Sequence, residues 1–101
     1  MQRDYPAQFS REQGCTEVEW LRWLPGAVRA QMLSLPVPGE AQVALPTGRL
    51  TVRWAVLPPR RIALISMPRM QIDYAFDAAI GEAERTAFMR YFDLYMQRGG
   101  G

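Results

Sequence analysis

Arg49-Leu50-Thr51-Val52-Arg53-Trp54-Ala55-Val56-Leu57 alternates between two kinds of side chain. Leu50, Val52, Trp54 and Val56 fall on one side of an extended chain, and Arg49, Thr51 and Arg53 on the other. A strand with one face against a core and one toward water has this pattern. The neighbouring sequence keeps the same character from Val28 to Phe76, where valine, leucine, isoleucine and threonine alternate with arginine and glutamine. Pro36-Val37-Pro38-Gly39, Pro46-Thr47-Gly48 and Pro58-Pro59-Arg60 punctuate these runs. Turn chemistry at such intervals predicts an antiparallel meander with strands at 28–35, 41–45, 49–57 and 61–76.

Pro68 complicates the last strand, because proline has no N–H to donate to a ladder. If 61–76 is one bent strand, Ile62, Leu64, Ser66, Met70, Ile72, Tyr74 and Phe76 share a face. A turn at Met67-Pro68-Arg69-Met70 would instead make the sheet five-stranded.

Helices are expected on both sides of the meander. Thr16 and Glu19 have the Thr-x-x-Glu spacing of a capping box, with Cys15 and Trp20 placed to form a hydrophobic staple. The helix they open is expected to run from Glu17 to Leu24, since Pro25 and Gly26 favour an exit. After Phe76 the period changes, and 81–98 reads as an amphipathic helix. Glu82 and Glu84 suit its positive end and Arg98 its negative end. Phe88, Tyr91, Phe92 and Tyr95 form an aromatic stripe for packing on the sheet. The fold class expected is α+β: a short N-terminal helix, a four-stranded (or five-stranded) antiparallel meander, and a long C-terminal helix on one sheet face. All 101 residues are expected to form one domain, with an irregular arm at 1–14 and a loose glycine tail at 99–101.

The composition excludes much enzymology. There is no histidine, so no Ser-His or Cys-His pair and no imidazole ligand can form. No motif for a cofactor or metal is present, and none is expected. Cys15 is the single cysteine; it cannot form an internal disulfide, which suits a reducing cytoplasm. Beside a helix start its thiol pKa would be lowered, the one hint of nucleophilic chemistry. No apolar run reaches the roughly eighteen residues that cross a bilayer, so no membrane association is expected.

Charge is segregated along the chain: 1–40 carries net −1, 41–72 net +5 and 73–101 net −2. The positive stretch contains Arg49, Arg53, Arg60, Arg61 and Arg69 and no acid, a candidate patch for nucleotide or nucleic-acid phosphate. The alternative is a solvated face that deters edge-to-edge pairing. Trp20, Trp23, Tyr91 and Tyr95 are candidate interface anchors as well as candidate core. With six methionines, three tryptophans and four tyrosines, the chain holds more large apolar groups than one small core encloses. A non-enzymatic binding or assembly module follows, with a protein partner or a second copy as its target and an anion-binding regulator as the alternative.

Overall fold

The computed structural model describes residues 4–99. Its elements in chain order are β1 (Gln8–Gln13), α1 (Glu17–Val28), a 3₁₀ turn (Ala30–Met32), β2 (Leu33–Ser34), β3 (Glu40–Leu45), β4 (Gly48–Ile62), β5 (Ile65–Phe76) and α2 (Glu82–Gly99). The five strands form one antiparallel sheet in the order β1-β5-β4-β3-β2. It is a four-stranded meander with a fifth strand added at the β5 edge, and the fold is α+β.

Both helices lie on one face of this sheet. Leu50, Val52 and Trp54 of β4 and Met70, Ile72, Tyr74 and Phe76 of β5 are buried there with Trp20 and Leu24 of α1 and Met89, Phe92 and Met96 of α2. Trp20 meets Trp54 and Phe92 edge-on at ring separations of 5.7 and 6.0 Å. The start of α1 is tied to the sheet by the Trp54 indole N–H, which donates to Glu17 at 2.8 Å. The capping box forms as its spacing implies: the Glu19 amide donates to the Thr16 hydroxyl at 3.1 Å, and the Thr16 amide to the Glu19 carboxylate at 3.0 Å.

Four expectations need correction. The segment 1–14 is not wholly irregular, because Gln8–Gln13 pairs with β5 from Gln8↔Ala75 to Gln13↔Met70. Arg11 occupies an inward position of this strand and is clamped by Asp93 of α2, so apolar alternation alone could not reveal it. Helix α1 does not stop at Leu24; it continues through Pro25 to Val28. Proline forfeits one helical hydrogen bond, but the extra turn buries Ala27 and Val28. It also brings Gly26 against α2 so closely that a Cβ there would lie 2.0 Å from the Tyr95 hydroxyl oxygen. The strand expected at 28–35 is reduced to two residues, because Val28 belongs to the helix and Arg29 turns the chain at φ 67°.

The fourth correction concerns Pro58-Pro59-Arg60, which is not a turn between strands. β4 runs through it to Ile62 with a bulge between Leu57 and Arg60, and the reversal comes at Ala63-Leu64. β5 continues through Pro68 without a second turn. Met70, Ile72, Tyr74 and Phe76 share the buried face as parity requires, whereas Ile62 lies on β4 opposite Ile65 and Leu64 lies in the turn. At the other terminus α2 includes Gly99, and the rest of the glycine tail lies outside the described residues.

Candidate functional site: a projecting hairpin arm

The β4–β5 hairpin outruns its neighbours. The last β3 residue that pairs with it is Glu40, opposite Arg53, and the last of β1 is Gln13, opposite Met70. Beyond these points, apart from the Trp54 amide, which donates to the Gly39 carbonyl at 2.9 Å, the two strands pair only with each other among the described residues, which draws the molecule out to 46 × 29 × 21 Å. Among the described residues no helix covers this arm. Val56, on the core face by parity, is 65% exposed because the covering helices end short of it. Ile62, Ile65 and Met67 are exposed nearer the tip, and Leu64 is completely so. Soluble surfaces scatter such residues singly, but here they lie within a few positions of one another on one protrusion.

The waist of the arm is braced. The Arg69 Nε donates to the Pro58 carbonyl at 2.8 Å across the bulge, and its guanidinium reaches Glu12 of β1 at 3.4 Å. Pro58, Pro59 and Pro68 stand together at this level.

The five candidate arginines are not one patch. Arg53 pairs with Glu40 at 3.0 Å, and Asp73, directly across from it on β5, accepts from Ser10 at 2.6 Å. Segregation in sequence is thus undone in space, because antiparallel pairing sets acids of β3, β5 and β1 beside the arginines of the middle strands. Arg69 is engaged with Glu12. Arg49, Arg60 and Arg61 make no ion pair among the described residues, and Arg49 is roughly 35 Å along the strand from Arg60. Arg60 and Arg61 remain together, near the apolar tip.

The aromatic candidates also separate. Trp20 is 0% exposed, which places it in the core and out of reach of a partner, while Trp23 and Tyr95 are half-buried against the same cluster. Tyr91 is exposed, with the Arg29 guanidinium 5.4 Å from its ring centre. Apolar hollows open at the surface beside Tyr91 and beside Trp54. One, of about 200 Å³, lies between the end of α1 and α2 against Met32, Phe88 and Tyr91. The other, of about 350 Å³, lies at the base of the arm among Glu17, Leu21, Leu35, Val37, Gly39 and Trp54. Leu35 and Val37 on its rim are exposed.

Cys15 is not activated. The thiol is buried, and burial together with the nearby Glu19 charge pushes its pKa up to about 11, the reverse of the depression expected from the helix terminus. Burial likewise raises Tyr74 to about 12, against the opposing pull of Arg11. Tyr5 rises to about 12 through burial and its hydrogen bond to Asp93. A group whose pKa is higher folded than unfolded favours the fold until pH passes its unfolded value, and the contribution then fades up to the folded one. The urea midpoint should therefore hold steady through neutral pH and fall between about pH 9 and 12. A midpoint that stays constant across that alkaline window would contradict these burials.

Among the described residues no group of three histidine, cysteine, aspartate or glutamate side chains could hold a metal ion, and no helix is long and apolar enough to cross a membrane. No protein-family model matches the sequence, and no curated protein gives a significant match to it.

Proposed function

We propose that this chain is a non-enzymatic assembly module that joins copies of itself through the β4–β5 arm. The supporting observation is the cluster of Ile62, Leu64, Ile65 and Met67, four exposed apolar side chains gathered at the end of a braced hairpin. Burying one such side chain contributes about 1.5–3 kcal/mol, so a few of them suffice for an interface. The absence of histidine and the raised thiol of Cys15 favour binding over catalysis. The lone cysteine suits a reducing compartment such as the cytoplasm. Light scattering on a sizing column, run over a concentration series, is expected to show a dimer for the natural sequence and a monomer for Leu64→Asp. A natural chain that stays monomeric at the highest attainable concentration would overturn the proposal.

A second function is favoured by Arg60 and Arg61, which are exposed beside the tip and make no ion pair among the described residues: an anion-binding regulator that contacts nucleotide or nucleic-acid phosphate through the arm. Its affinity for a polyanion should drop steeply along a salt series. Absence of binding at the lowest salt removes this alternative.

A further inference from the structure

We infer that the hollow at the base of the arm is the receptor for the arm tip of a second copy, so that two molecules clasp reciprocally. The inference rests on the self-association proposed above and names the surface that receives the tip. The hollow is walled by Leu21, Leu35, Val37 and Trp54 and opens beside Gly39, where β3 gives out and the arm departs. A cavity of roughly 150 Å³ accepts a benzene-sized group, so about 350 Å³ has room for two branched aliphatic side chains. Leu64 and a neighbouring isoleucine at the tip are of that kind.

Position and charge both single out a second copy as the occupant. The tip stands eight β5 residues from Ile72, the partner of Trp54, on a two-stranded ribbon, about 26 Å away, and points away from its own hollow. Two arms laid side by side in opposite directions place each tip at the base of the other, a self-complementary two-fold arrangement that closes at two. One arginine of the Arg60-Arg61 pair, whose side chains alternate between the two faces of the ribbon, then approaches Glu17 on the wall of the hollow and Glu19 in the same helical turn, while the arm itself carries no acid between Trp54 and Met70. Pairing of the arms by backbone ladder is obstructed by the prolines at the waist, which lack the N–H such pairing needs. Side-chain insertion is left as the mode of contact.

Leu64→Asp damages the tip and Val37→Asp the rim of the hollow, and both positions are exposed, so the core is untouched; circular dichroism verifies the fold of each. Measured by sedimentation, each variant alone should dimerise at least about tenfold more weakly than the natural chain. An equimolar mixture should recover association, because the intact tip of the Val37→Asp chain meets the intact hollow of the Leu64→Asp chain. If Val37→Asp dimerises like the natural chain while Leu64→Asp does not, the tip binds elsewhere: the inference fails and self-association through the arm stands. If both variants are weakened and the mixture recovers nothing, reciprocal clasping is overturned. If the natural chain never dimerises, the proposed function falls as well.

Discussion

Trp20→Ala should remove about 3–5 kcal/mol of folding stability, the largest loss among the substitutions considered. The indole is wholly enclosed, with Trp54 of the sheet on one side and Phe92 of α2 on the other. It is the point at which α1, α2 and the sheet meet. Alanine would leave a void bordered by three elements that cannot all close onto it, because each is fixed by its own backbone pairing. A domain of this size has roughly 5–15 kcal/mol in total, so the variant is expected to be partly unfolded in mild urea. Trp20→Phe should be much better tolerated. It keeps most of the ring, and it deletes an indole N–H that has no hydrogen-bond partner among the described residues, a group whose burial opposes folding. Urea titrations followed by circular dichroism would measure both. A loss under about 1.5 kcal/mol for Trp20→Ala would mean that the site collapses readily and that the three-way junction is not rigid.

The second large effect belongs to Asp93. Its carboxylate accepts from the Tyr5 hydroxyl at 2.7 Å and from both terminal nitrogens of Arg11, one of them at 3.2 Å. The Arg11 guanidinium also lies 5.0 Å from the ring centre of Tyr74 and 5.7 Å from that of Phe9. Asp93→Ala strands a cation whose side chain is only 25% exposed and unties a hydroxyl in the core. Removing one partner of a buried pair commonly costs about 3–5 kcal/mol, and the residual exposure of both partners lowers the expectation to about 2–3 kcal/mol. Arg11→Ala should cost less, because Asp93 keeps Tyr5 as a donor. The double variant should fall short of the sum, since after one loss the other partner has less to lose. Hydrogen exchange would reveal the location: protection should drop first along β1, which this cluster and the Arg85 Nε bond to the Tyr5 carbonyl at 2.7 Å help to hold against α2. Simple additivity of the two losses would show that Arg11 and Asp93 act independently.

The parts of the fold legible in sequence are those with local causes. Thr16 and Glu19 satisfy each other's backbone groups within one turn, and Leu50, Val52 and Trp54 declare a face through their own spacing. The illegible parts depend on partners distant in the chain. Pro25 reads as a stop unless Tyr95 is already known to hold Gly26, and Arg11 reads as a surface charge unless Asp93 lies above it. The arm was hidden for a similar reason. Val56, Ile62 and Leu64 look like core residues by alternation, and only the folded structure shows that the helices stop short of them. The twin prolines at 58 and 59 and the unbroken run Ile62-Ala63-Leu64-Ile65 were the available signals. The arginines misled in the opposite sense, since a sequence stretch without acids still acquires Glu40, Asp73 and Glu12 as neighbours once the strands align.

The reversal at Ala63-Leu64 also bears on the order in which the chain takes shape. Ala63 has φ 52° at the first of two turn residues, where a tight hairpin favours glycine and an L-side chain meets steric resistance. Such a bend is a poor nucleus. The long ladder is therefore expected to zip from the Trp54–Ile72 end outward, after the aromatic centre has collapsed, with the last rungs closing latest and opening first. Amide protons near Ile62 and Ile65 should accordingly trade with solvent sooner than those of the rungs from Leu50–Phe76 to Trp54–Ile72.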